Sequence, residues 1–246
     1  MRPRSFIITS IILLGFSLAC WQILGSLRYQ WNWPGIWEQR SIIFQGWLMT
    51  LGISLGALLG TLIFGLMLAA GQRCGEPSIR WLCRGYVEII RGTPLLTQLL
   101  LGYYVVASAF QIDSKIIAGI LLLTLFESSY MAEILRGGVA SIERSQWDAA
   151  RALGFTPYQT WRWIILPQAT RRVLPGVAGQ AASLIKDSSL LSILGIAEFA
   201  KQTDVAVSTS SSPLEGYIPM AIGYLILTLP LSAYSRYLEQ KWKITG

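Results

Sequence analysis

Several apolar runs in this 246-residue chain reach the length of a bilayer crossing, and they restrict the fold more than any motif does. A helix needs ~20 predominantly apolar residues to span the hydrocarbon core. Only helices and closed barrels satisfy every backbone polar group there. Charged residues make up 13% of the chain and hydrophobic ones 53%, whereas a soluble protein carries roughly 25% charged residues. Too little polar surface is left to cover a water-soluble globule. The expected fold class is therefore all-α, a polytopic membrane helical bundle with six predicted transmembrane helices.

The spans are read at 6–27, 43–70, 116–135, 173–194 and 217–234, with a third that follows the stretch 85–98 and ends near 110. Arg2 and Arg4 precede the first run, as they would in a cleavable signal peptide. The run nevertheless continues past Cys20 through Trp21, Ile23 and Leu24 without a small-residue cleavage site, which favours an uncleaved span. Residues 28–40 are rich in tryptophan and broken by Pro34 and Gly35, a composition suited to an external loop at the membrane–water boundary. In the second span Gly52, Gly56 and Gly60 recur every fourth residue, so one face lets another helix approach closely. Gly92 and Pro94 interrupt the helix that leads into the third, and such a break is tolerated only where protein or water lines the freed backbone groups. Residues 195–216 are read as a loop.

An even number of spans puts both termini on one side. Of the 20 basic residues only Arg28, Arg40, Lys115 and Lys201 fall opposite, with Lys186 inside a span. By the positive-inside rule both termini and the polar stretch 142–170 are cytoplasmic. These loops account for the net charge of +7. The basic residues are scattered between spans and not gathered on one face, so no nucleic-acid partner is expected. There is no histidine, and Cys20, Cys74 and Cys83 have no metal-ligand or disulfide spacing, so no metal site is expected. The motifs G-x-x-x-x-G-K-[ST], H-E-x-x-H and G-x-S-x-G are absent; no catalytic residues are assigned, and ATP, if it drives the protein, must sit on another polypeptide.

The polar stretch itself carries a helix–turn–helix pattern. Ala149, Ala150 and Ala152 favour a short helix over 148–153, Gly154 stops it, and Thr156-Pro157 caps and opens a second. Inside the spans the ionisable residues are Glu127, Glu133, Lys186 and Asp187, which at membrane depth face a bundle interior or a wet cavity. Asp187 or Glu127 could accept from a cationic group there, and Lys186, Ser188 or Ser189 could donate to an anionic one. The competing reading is an internal Lys–acid pair that holds helices together. Glu133 lies three residues before Arg136 and is read as its structural partner.

The run Asp148-Ala149-Ala150, followed by Gly154 and by Ile164, Leu166 and Pro167, resembles the cytoplasmic coupling loop of ABC importer membrane subunits, with Asp in place of the usual Glu. Glu88, Arg91, Gly92, Thr93, Pro94, Leu95, Leu96 and Gln98 match the E-x-x-R-G-T-P-L-L-x-Q stretch of the polar amino-acid permeases. The end of the fourth span resembles their A-E-I-x-R-G-G, and Glu127 departs from the small polar residue common there. The resemblance is to the membrane-spanning permeases of histidine/glutamine/arginine-type ABC importers. It implies a type I importer-like fold: a five-helix core over 41–246, containing a coupling loop at 142–170, preceded by an additional helix and aromatic loop over 1–40. It implies that Asp148, Ala149, Ala150, Arg151, Leu153 and Gly154 contact an ATPase. Substrate contacts would come from Asp187, Glu127, Ser188, Lys186, Gln98 and Ser128. Gly92, Thr93, Pro94, Arg91, Glu133 and Arg136 would be structural or gating. The implied partners are a second permease subunit, identical or related, two ATPase subunits carrying ATP and Mg, an external solute-binding protein, an amino-acid substrate and membrane lipid, in a bacterial inner membrane. The alternative, an ion-gradient-driven secondary transporter or channel, leaves the D-A-A-R-A-L-G helix unexplained, and no internal repeat supports it.

Overall fold

The computed structural model describes residues 29–242 and, ahead of them, 10–12, 14–15, 17–19, 21–22 and 25. The expected first span, 6–27, is therefore described at only 11 of its 22 positions, and Arg2, Arg4 and Lys243 lie outside the described residues. All regular structure among the described residues is helical.

A short helix, α1 (Trp33–Glu38), is opened by the Asn32 side chain, which accepts from the Gly35 amide, and by Pro34 in its first turn. Pro34 and Gly35 thus start a helix where a break was expected, because a proline near the N-terminus removes an amide that has no partner anyway. Only Gln39 separates α1 from α2 (Arg40–Gly71), 32 residues of nearly unbroken apolar sequence and about 48 Å long at 1.5 Å per residue. Then come α3 (Pro77–Gly92) and α4 (Leu95–Leu101), the latter continued by a π-helical turn, Gly102–Ala107. The long helix α5 (Lys115–Ala140) is capped by Ser114. Two short helices, α6 (Arg144–Ala152) and α7 (Pro157–Gln159), form a hairpin that runs through a second π-helical turn, Thr160–Ile165, into α8 (Leu166–Asp187). A 3₁₀ segment, Ser188–Leu194, leads to α9 (Phe199–Ser210) and then α10 (Pro213–Lys241).

Of these, α2, α5 and α10 are long and apolar enough to cross a membrane. The pair Pro77–Gly92 and Leu95–Ala107 passes only jointly and is bent by 107° at the break, as in a broken span or a re-entrant loop. Six spans are thus not all visible among the described residues. The fifth expected span differs most. Its helix runs over Leu166–Asp187 and not 173–194, and it carries Arg171, Arg172, Lys186 and Asp187. It packs between α5 and α10, so its polar groups need not meet lipid. The expected loop at 195–216 contains α9. Glu198 accepts from the Ala200 and Lys201 amides at its start, and Phe199, Thr203, Ala206 and Val207 form one buried face.

The core joins α2, α4, α5, α8 and the 3₁₀ segment through Ile53, Ala57, Leu99, Leu123, Leu184 and Leu191. Part of the glycine stripe sets the α2–α5 spacing. A Cβ on Gly60 would lie 2.7–2.8 Å from the Thr124 side chain, and Gly56 faces Ile120, whereas nothing lies within 4 Å of a Cβ on Gly52. Buried Glu198 ties three helices at the opposite end from the hairpin. It accepts from Thr50 Oγ1 of α2 (3.2 Å) and from the Tyr224 hydroxyl of α10 (3.0 Å), besides capping α9.

Candidate coupling hairpin and intramembrane polar site

The hairpin 142–170 is built from local signals. Helix α6 ends where Gly154 takes φ +77°, a left-handed conformation natural to glycine. The amides of Leu153, Gly154 and Phe155 donate to the carbonyls of Ala149, Arg151 and Ala150 at 3.0–3.1 Å. A capping box follows: the Gln159 amide donates to Thr156 Oγ1, and the Thr156 amide donates to Gln159 Oε1. Trp147 of α6 meets Trp161 edge-on, with ring centroids 5.7 Å apart, and Ile142, Ile165 and Ala169 close a small core beneath.

This packing sorts the expected coupling residues. Asp148, Ala149, Arg151, Leu153 and Gly154 are exposed, and Leu153 is 73% accessible although apolar. Ala150 is fully buried, so its side chain holds α6 in place and is not offered to a partner. Asp148 and Arg151 stand 3.8 Å apart on the outer face. Tyr158 and Trp163 add exposed aromatic surface that sequence reasoning did not single out. The hairpin is thus a rigid projection with an uncovered apolar tip and two opposite charges, a shape suited to a protein groove.

The second site lies between α5 and α8. Glu127 is fully buried, and the Gln180 amide nitrogen donates to its Oε2. Glu127 Oε1 has no hydrogen-bond partner among the described residues, and the Asp187 carboxyl faces it. Two facing carboxyls with one amide donor leave negative charge uncompensated, and a cation or a shared proton relieves it. Gln180 was missed by sequence reasoning; its spacing of seven from Asp187, two turns of one helix, was the available signal.

The other expected contacts fall differently. Ser128 and Ser188 are buried, and each hydroxyl donates 2.8 Å to its own helix, to the Leu125 and Ile185 carbonyls. Lys186 is exposed and forms no ion pair with Glu127 or Asp187 among the described residues, so the internal Lys–acid pair is not present. Gln98 is bound to the helix break: its Nε2 donates to the Ile90 carbonyl and to Thr93 Oγ1, each at 2.7 Å. At that break Thr93 and Pro94 are extended, as a residue before proline prefers. Glu133 accepts a two-pronged bond from Arg136 at 2.7 and 2.8 Å, and Arg91 of α3 approaches it at 3.7 Å. That cluster joins α3 to α5 about 9 Å along the helix from Glu127. Gln72, Arg84 and Glu88 complete the polar cavity around it, about 370 Å³ in volume.

Known proteins resemble this chain in sequence and fold. Residues 61–244 match the family described as binding-protein-dependent transport system inner membrane component. The chain is 35% identical over 218 residues to the glutamine transport system permease protein GlnP of Escherichia coli K12, covering 87% of this chain and 99% of that protein. It is 29% identical over 221 residues to the glutamate/aspartate import permease protein GltK of Escherichia coli O6:H1, with the same coverage of 87% and 99%. A crystal structure of an amino acid ABC transporter with histidines superposes with a TM-score of 0.79 at 30% identity, over 87% of this chain and all of that one. These matches displace the ion-gradient alternative. The multi-pass helical architecture, the hairpin between spans and the match over most of the sequence lead to one statement: the chain belongs to the inner-membrane components of binding-protein-dependent ABC transport systems, as a permease subunit that is not itself the ATPase.

Proposed function

We propose that this permease passes polar amino acids from an external solute-binding protein to the cytoplasm by alternating access, powered by two separate ATPase subunits that carry the ATP and Mg. The observation that carries this reading is the hairpin. Its exposed helix, stopped at Gly154 and anchored through Ala150, gives an ATPase a rigid feature to grip. Asp148, Ala149, Arg151, Leu153 and Gly154 make that contact. A second permease subunit, identical or related, completes the pathway.

Six spans cross the bacterial inner membrane with both termini in the cytoplasm; 41–246 is the transport core, and 1–40 adds a helix and an aromatic segment that contains α1. The substrate ammonium sits between Glu127 and Asp187, where Oε1 of Glu127 has no protein donor. Ser128 and Ser188 line that site, and Lys186, whose ammonium is exposed, meets the carboxylate end. Gln98 joins Gly92, Thr93 and Pro94 in fixing the break between α3 and α4. Arg91, Glu133 and Arg136 latch α3 to α5 on the cytoplasmic side of the site, where a rocking motion of the bundle would open it. Glutamine, glutamate and aspartate appear in the names of the relatives and head the panel of candidate substrates.

Uptake by proteoliposomes holding the full complex tests the reading. A panel of amino acids competes for uptake in the wild type and in Glu127→Gln. The variant is expected to lose about tenfold or more, since hydrogen bonds to charged groups contribute about 1.5–3 kcal/mol. Uptake unchanged by Glu127→Gln would remove the ammonium site.

A further inference from the structure

Where α2, α5 and α8 reach the hairpin, a cleft of about 460 Å³ remains between them. Leu66 and Ala70 of α2, Leu135 of α5, Val173 of α8 and the Trp161 ring form its walls. The volume falls in the ~300–1,000 Å³ range of pockets that enclose a small molecule. An apolar cleft offers water too few partners to hold it. Leu66 is 60% exposed, so the cleft is open on the outer side of α2.

Two arginines complete the lining, and they differ. Arg136 is held by Glu133. Arg73 lies two residues beyond the end of α2, is exposed, and forms no ion pair among the described residues. A cation just past the end of a spanning helix stands at headgroup level, where anionic lipids of the cytoplasmic leaflet attract it.

We propose that this cleft is a binding site for one anionic phospholipid of the cytoplasmic leaflet, with an acyl chain along Leu66, Leu135 and Val173 and the phosphate on Arg73. The lipid acts on the coupling hairpin, because its wall, Trp161, carries Trp147 of α6 edge-on. This inference rests on the topology proposed above, with the C-terminal end of α2 in the cytoplasm.

The test is native mass spectrometry of the whole complex released from nanodiscs of equimolar phosphatidylglycerol and phosphatidylethanolamine. The wild type is expected to retain phosphatidylglycerol in preference. Arg73→Gln is expected to lower that retention roughly fivefold, the factor for one basic residue at an anionic surface. Ala70→Trp, which fills the cleft, abolishes it. Arg84→Gln removes the same charge outside the cleft and leaves retention unchanged. Equal retention in wild type and Arg73→Gln overturns the proposal, and so does equal loss in Arg84→Gln. Cross-linking of Ala70→Cys to a second permease or an ATPase overturns it too, because protein then covers the cleft. ATP hydrolysis by the same preparations is read separately: selective retention without coupled hydrolysis would leave the lipid site standing and sink the importer reading.

Discussion

Replacing Gly154 in a graded series isolates the backbone term in coupling. The residue adopts φ +77°, and nothing lies within 4 Å of where a Cβ would stand. A side chain there meets no neighbour, so its cost is conformational alone. For an ordinary L-residue that cost is about 1–2 kcal/mol. Asparagine tolerates the left-handed region better than alanine, and a β-branched residue tolerates it worst. The nine-residue helix α6 is too short to hold itself, so the penalty falls on the turn that closes it. A destabilisation of about 1–2 kcal/mol shifts the ratio of formed to frayed hairpin by a factor of about 5–30. If an ATPase grips only the formed hairpin, its apparent affinity falls as the formed fraction falls. ATP hydrolysis stimulated by loaded binding protein should therefore rank Gly154, Asn, Ala, Val in descending order, at equal amounts of membrane-inserted subunit. Hydrogen exchange at the Phe155 amide, which donates to Ala150, should rise in the same order. Equal stimulation by the alanine and asparagine variants, or full activity with valine, would refute the reasoning.

Further outcomes follow from the packing. Gly60→Val should lower the melting temperature in detergent, since overpacking a tight contact costs about 1–3 kcal/mol, while Gly52→Val should be neutral because that position is open. Thr156→Ala removes the capping box and should weaken the hairpin by about 1 kcal/mol, read as faster exchange at the Gln159 amide. Glu133→Gln should change stability little, because the cluster with Arg91 and Arg136 is partly solvated and exposed pairs contribute about 0–1 kcal/mol; its effect should appear in transport rate.

Much of this was legible in the sequence because it depends on local chemistry. Gly154, Thr156 and Pro157 fix the hairpin's turns through their own backbone preferences, and Gly92 and Pro94 mark the break between α3 and α4. The long apolar runs of α2, α5 and α10 declare themselves by composition. What stayed hidden depends on tertiary partners. The polar start of helix α8 hid its true beginning, seven residues before the span read at 173–194, and its position depends on α5 and α10 covering it. Helix α9 sits in a serine- and threonine-rich stretch whose one buried face is visible only once α2 is in place. The role of Gln98 at the break, the partnership of Gln180 with Glu127 and the burial of Ala150 each require a second element to be placed first. Gly52 shows the converse: a glycine repeat announced close packing, and the structure uses Gly56 and Gly60 but not the first member.

The central claim is that this chain couples an external binding protein to ATPases through its hairpin. ATP hydrolysis in proteoliposomes containing the chain, its ATPase and its loaded binding protein, compared between wild type and Gly154→Glu, tests it most directly. Hydrolysis is expected to rise with loaded binding protein in the wild type and to stay at the unstimulated level in the variant, with both chains equally inserted. Stimulation that survives Gly154→Glu, or uptake by the chain alone that follows an ion gradient, would contradict it.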